Sequence, residues 1–192
     1  KRKSLDNGIS LTPLQRKTED TGISYQNVKV NIDREIRCAE IIIEGPSYDC
    51  PSDIKSIMEL GSQFWPLLTM RELEDAILHL RFNESEICSW LIKCHGDSER
   101  VRAFHKILWL QRETWFISEI NLFMERVFKR IDVSARSVIT AIEPNSCFHG
   151  PLFELVLMAD QSFMLLGQFE SDESPAATVS LTDLNFGTYK MA

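Results

Sequence analysis

Between Val138 and Leu165 the chain reads VITAIEPNSCFHGPLFELVLMADQSFML, and no other stretch narrows the possible folds as much. Val138–Ile142 is an apolar run of strand length, Pro144-Asn145 is a turn signal, and a loop over 143–150 ends in Gly150. Pro151 suits a first helical turn because its missing N–H needs no partner there. The helix it opens carries Glu154, and a second strand follows after Asp160. A strand that feeds a glycine-ended loop into a helix leaves unpaired N–H groups aimed at one spot. Such a spot can hold a phosphate or stabilise an oxyanion, with Glu154 one turn away.

Upstream, residues 1–22 are polar, rich in Gly, Pro, Asp and Thr, and read as a linker from a preceding domain. Tyr25, Val28, Val30 and Ile32 mark a strand, and a turn at Asp33–Glu35 returns it through Ile36–Glu44. After Gly45-Pro46-Ser47 a short helix is expected over 52–60. A longer helix is expected over 70–82, capped by Thr69 with Glu72 completing a capping box. Ile87–Cys94 reads as a buried strand broken at His95-Gly96-Asp97, and helices are expected over 99–108 and 113–131. In the second of these Phe116, Ile120, Phe123, Val127 and Ile131 form one stripe, a core-packing pattern. Hairpin strands followed by alternating helices and strands indicate a mixed α/β fold whose spacing suits a parallel sheet.

The net charge of −7 argues against nucleic acid as a partner, which requires a clustered basic face. No apolar run approaches the ~18 residues of a membrane span. The five cysteines are odd in number, and Cys38, Cys88 and Cys94 lie in apolar strand-like runs. That usage suits a reducing cytoplasm better than a disulfide framework. Neither Cys147/His149 nor Cys94/His95 has zinc-ligand spacing, so no metal is expected. Cys147 as a nucleophile with a histidine base competes with a plainer reading, a small thiol lining a loop. His105 reads as an ordinary helix residue and Asp160 as a helix-ending group bonded to nearby backbone.

The run from Asn145 to Asp160, with Gly150, Glu154, Leu155, Leu157 and Asp160 in step, resembles the signature of the crotonase (enoyl-CoA hydratase/isomerase) superfamily. Within it the chain is most similar to the ring-cleaving lyases of aerobic benzoyl-CoA breakdown. The similarity is carried by TEDTGISYQNVKVNIDR at 18–34, the run from Phe64 to Leu78, and His95-Gly96-Asp97. RIDVSARS at 130–137, IEPNSCF at 142–148 and LNFGTYKM at 184–191 complete it. The resemblance implies a crotonase-like ββα spiral over 23–192, incomplete at the C-terminus because the superfamily's closing helices would follow Ala192. It also implies that the chain is the second crotonase-like domain of a longer polypeptide, packed on the preceding one and forming homo-oligomers. The substrate would be a coenzyme A thioester, with no further cofactor. The implied reaction opens 2,3-epoxybenzoyl-CoA, or its dihydrodiol, with water to 3,4-didehydroadipyl-CoA semialdehyde and formate.

Carried onto these residues, the resemblance makes Glu154 and Asp183 the two water-activating carboxylates and places Gly96, Asp97, His149 and Gly150 around the acyl-CoA. Asp183 is one methylene shorter than the superfamily's usual glutamate. The oxyanion-hole triplet falls on Gly150, Pro151 and Leu152, and its middle residue, a proline, has no N–H to donate. Loss of one such donor costs on the order of 100- to 1000-fold in rate. His95 stands where a small residue is usual and would narrow the slot for the pantetheine arm. The expectation is therefore a degenerate, structural half. Two alternatives stay open: a stand-alone hydratase or isomerase using Glu154, and a non-catalytic acyl-CoA-binding module.

Overall fold

The computed structural model describes residues 8–167, 176–179 and 185–186. Among them, seven strands form one sheet in chain order. Strands β1 (Lys17–Glu19), β2 (Gly22–Ser24), β3 (Val28–Asp33) and β4 (Cys38–Glu44) pair antiparallel. Strands β5 (Ser89–His95), β6 (Ser137–Ile142) and β7 (Gln161–Met164) then add in parallel. Connection length dictates the change, since short turns can join only antiparallel neighbours and parallel ones need a crossover. Helices α1 (Ile54–Leu60) and α2 (Trp65–Phe82) cross from β4 to β5. Helices α3 (Ser98–Leu110) and α4 (Trp115–Asp132) cross from β5 to β6, and α5 (Phe153–Met158) from β6 to β7. The expected mixed α/β class is met, with parallel pairing confined to the second half.

Side-chain alternation gives the sheet two unlike faces. Val28, Val30, Ile32, Ile41, Ile43, Trp90, Ile92 and Cys94 are buried and join the helices in one core. The α4 stripe read from the sequence enters it through Phe116, Ile120, Val127 and Ile131. The intervening strand positions, among them Glu40 and Lys93, are only half-buried. Lys93 Nζ there bridges Glu40, at 3.1 Å, and Glu143, at 3.0 Å. Among the described residues no helix is long and apolar enough to cross a membrane.

Three local expectations are corrected. The stretch read as a linker contributes β1, the β1–β2 turn and the first residue of β2, and Arg16 fastens it to α2 through Asp75 at 3.2 Å and His79 at 2.8 Å. The sequence there is polar because a short edge hairpin buries little. Helix α2 begins five residues earlier than expected, at Trp65, with Pro66 in its first turn and Phe64 as its N-cap. Thr69 is thus a buried interior residue, and Glu72 does not close a capping box. Its carboxylate instead accepts the N–H groups of Gln26, at 3.2 Å, and Asn27, at 2.8 Å. Cys88 lies just before β5 and is exposed, whereas Cys94 and Cys147 are buried; all are free thiols.

Candidate functional site

The loops that leave β5 and β6 meet at the C-terminal ends of the parallel strands. In parallel α/β sheets that is where ligands bind. Gly96 N–H donates to the Asn145 carbonyl at 3.0 Å, Cys147 N–H to the Cys94 carbonyl at 3.0 Å, and Gly45 N–H to the His95 carbonyl at 2.7 Å. This lattice demands glycine at 96: its φ is +135°, and a Cβ there would lie 3.1 Å from the Gly45 Cα. The Gly96 N–H thus faces a neighbouring carbonyl rather than an open slot. Asp97 is the N-cap of α3, accepting from Glu99 N at 2.9 Å and Arg100 N at 3.4 Å. Its carboxylate has a capping role.

Beyond Cys147 the backbone folds back on itself. His149 N–H donates to the Cys147 carbonyl at 2.7 Å, and Leu152 N–H to the His149 carbonyl at 3.0 Å. Gly150–Leu152 is a 3-10 turn, and Phe153 N–H at its end turns to the Gly150 and Pro151 carbonyls. Pro151 has no N–H. The donors that were expected to converge on one spot are therefore drawn into local bonds at Leu152 and Phe153. Helix α5 itself runs for only six residues.

Glu154 sits in the first turn of α5 and is buried, as is His149. Gly150 adopts φ +52° directly against the His105 ring: a Cβ on Gly150 would lie 2.7 Å from His105 Nδ1. Asn185 Nδ2 donates to the Gly150 carbonyl at 3.1 Å. Asp183, the second expected carboxylate, lies outside the described residues, as do Thr182, Leu184 and Gly187. Of the predicted set, the fold thus gathers Gly96 with the 145–147 loop, and His149, Gly150 and Glu154 along the following turn. It sends Asp97 to α3.

Burial decides the protonation states. It pushes His105 down to about 4 and lowers His149 as well, with Arg102 nearby adding to the second effect. Both imidazoles are neutral near pH 7. Burial pushes the Cys147 thiol up to about 12 and Cys94 well above its ordinary value. A thiol held so far from its thiolate is not a nucleophile, so the plainer reading of Cys147 stands.

His105 is the residue the sequence reading undervalued. It follows Phe104 in the buried stripe of α3, between Val101 and Leu108. That helical spacing was the available signal that it points inward. Asp160 behaves as read: its carboxylate accepts the Val138 N–H at 2.7 Å, tying the start of β7 to β6.

In sequence the chain is 36% identical over 185 residues to benzoyl-CoA-dihydrodiol lyase from Aromatoleum evansii. The match takes in 96% of this chain and 32% of that protein, so the chain is a relative of the lyase and spans about a third of its length. No protein-family model matches. Three solved enoyl-CoA hydratases align in part. That of Geobacillus kaustophilus HTA426 does so at 17% identity and TM-score 0.46, over 79% of this chain and 48% of its own. Those of Shewanella pealeana ATCC 700345 and Bacillus halodurans do so at 13% and 14% identity, with TM-scores of 0.46 and 0.44. Each of these two covers 71% of this chain, and 46% and 49% of its own respectively.

Proposed function

We propose that this chain, as a relative of benzoyl-CoA-dihydrodiol lyase, is one folded part of an acyl-CoA lyase and supports that enzyme by packing rather than by thioester chemistry. The whole enzyme would act in the cytoplasm on 2,3-epoxybenzoyl-CoA or its dihydrodiol. With water it would give 3,4-didehydroadipyl-CoA semialdehyde and formate. A preceding crotonase-like domain of the same polypeptide would carry the working carboxylates, and the assembly would be a homo-oligomer. One observation carries the reading: at the turn where an acyl-CoA enzyme needs free N–H donors, Pro151 has none and the N–H groups of Leu152 and Phe153 are bonded to neighbouring carbonyls. A thioester oxyanion placed there would gain little of the preorganised stabilisation that drives such reactions.

A second reading rests on Glu154. A carboxylate held in the interior on the first turn of a helix is the placement a general acid–base needs. An independent hydratase or isomerase would use it directly. A binding module would keep the acyl-CoA and turn nothing over.

Calorimetric titration of benzoyl-CoA into the chain, shown to be folded by circular dichroism, separates these readings. The packing role requires no saturable heat at millimolar ligand. Saturable binding that weakens in Glu154→Ala would overturn it in favour of the second reading. Binding that ignores Glu154 would leave a ligand-holding module.

A further inference from the structure

Helix α4 shows a second stripe on its outer side. Two grooves run along it and meet at Leu122 and Arg126. The first, about 450 Å³, is walled by Ile9, Leu11, Leu67 and Phe123; the second, about 430 Å³, continues to Val133. The floor is apolar and open to water. Leu122 is 57% exposed, Val133 59%, and Leu11 58%. Single exposed apolar residues are ordinary, but here Leu11 and Leu122 line one groove, and Leu122 and Val133 line the next.

The rim gives the sign of the occupant. Arg81, Arg126, Lys129 and Arg130 border the second groove, against Glu125 on the same rim. Glu74 is paired with Arg130 at 3.0 Å and approaches Arg126 at 3.8 Å. The Arg126 side chain nevertheless stays 62% exposed, and its guanidinium lies over the Phe123 ring at 4.9 Å. Glu119 stands on the first groove, so the two linings together hold four cations against two carboxylates, on a chain of net charge −7. The chain's own first residues, Lys1, Arg2 and Lys3, carry the sign of the rim and are the wrong complement for it.

We propose that the outer face of α4 is a docking groove for an amphipathic protein helix whose apolar stripe is flanked by aspartate and glutamate. The groove follows α4 from Trp115 to Val133, about 27 Å at 1.5 Å per residue. That length takes a partner helix of about five turns. Apolar anchors at three- and four-residue steps would cover Leu122 and Val133, while its carboxylates meet Arg126, Lys129 and Arg81. Rim charges of this kind set partner choice and association rate.

The test uses two fluorescein-labelled 18-residue helical peptides with the same leucine stripe, one flanked by glutamate and the other by lysine. Fluorescence anisotropy should show saturable binding of the glutamate peptide, at least about tenfold tighter than the lysine peptide and weakened by salt. The double variant Arg126→Glu plus Lys129→Glu should exchange that preference, and Leu122→Asp should abolish binding of both. All three positions are exposed or partly exposed, so an unchanged thermal midpoint confirms that each variant is folded. Equal binding of the two peptides, or no binding at hundreds of micromolar, overturns the proposal. So does sedimentation showing self-association that Leu122→Asp disrupts without any peptide binding, which would assign the face to a second copy of this chain.

Discussion

Replacing Gly150 with alanine tests the fit of the turn against His105 most directly, because two separate penalties act at one atom. The backbone φ of +52° disfavours any side chain, at about 1–2 kcal/mol. The new Cβ would also lie 2.7 Å from His105 Nδ1 and 2.8 Å from its Cβ and Cγ, contacts that real Cβ atoms do not show. His105 is enclosed and cannot swing aside, so relief requires shifting α3 or the turn. Overpacking of that kind costs about 1–3 kcal/mol. Together the loss is about 2–5 kcal/mol, a large share of the ~5–15 kcal/mol that holds a domain folded. For a chain of 192 residues each kcal/mol moves the midpoint about 2–4 °C, so thermal unfolding should fall by roughly 10 °C. His105→Ala should return part of that loss in a double-mutant cycle, giving a coupling of about 1–3 kcal/mol. Gly61→Ala is the control: it shares φ +52°, but the nearest atom belongs to Ile9 at 3.9 Å. Strain without a clash should not be relieved by His105→Ala. Additive losses at 150 and 105 would refute the argument that the ring and the turn are fitted to each other.

Four further outcomes follow from single residues. Thr69 Oγ1 is buried with no partner among the described residues. Thr69→Val should therefore raise stability by about 1 kcal/mol in thermal unfolding, where an N-cap would have lost that much. Glu72→Ala should cost about 3 kcal/mol, because it strands the N–H groups of Gln26 and Asn27. His105 gives the chain an acid limit: the unfolded state takes up a proton near 6.5, while the folded one resists until about 4. Acid therefore favours unfolding as pH falls through that window, by up to about 3 kcal/mol, and urea titrations of His105→Gln should show a flatter pH dependence. Asp97→Ala should cost about 1 kcal/mol in urea unfolding, recovered by Asp97→Ser, as a cap requires and a ligand-binding carboxylate does not.

Much of the architecture could be read from the residues because burial leaves a period. The β3–β4 hairpin, the α4 stripe and the strand–loop–helix over 137–158 all fell within a few residues of their places. The misses occurred where burial is slight or where two signals compete. Strand β1 is three exposed residues and leaves no apolar alternation to detect. At α2 a good capping pattern, Thr69 with Glu72, lost to Pro66 and to the apolar run Phe64–Leu68, which had to enter the core. The candidate site was legible as a list of residues but not as an arrangement. Spacing places Glu154 one turn into a helix, yet only the fold shows where each neighbouring N–H points.

That difference bears on what a matching motif can prove. Five of the residues that the crotonase resemblance singles out already have a duty that involves no ligand. Gly96 permits the approach of Gly45, Asp97 caps α3, Gly150 accommodates His105, and Asp160 fastens β6. Leu155 is in the core. A fold of this kind would hold those residue types in place even if chemistry were lost, because replacing them costs stability. Glu154 differs in kind: it is a buried carboxylate, whose replacement would change stability and any ligand binding by separate routes. Whether glutamate is retained there for a ligand is therefore answered by stability and binding measured together. If Glu154→Leu stabilises the chain and leaves benzoyl-CoA titrations without heat, the residue is a remnant. If it abolishes a binding that the parent chain shows, the site still reads its ligand and the packing role is not the whole function.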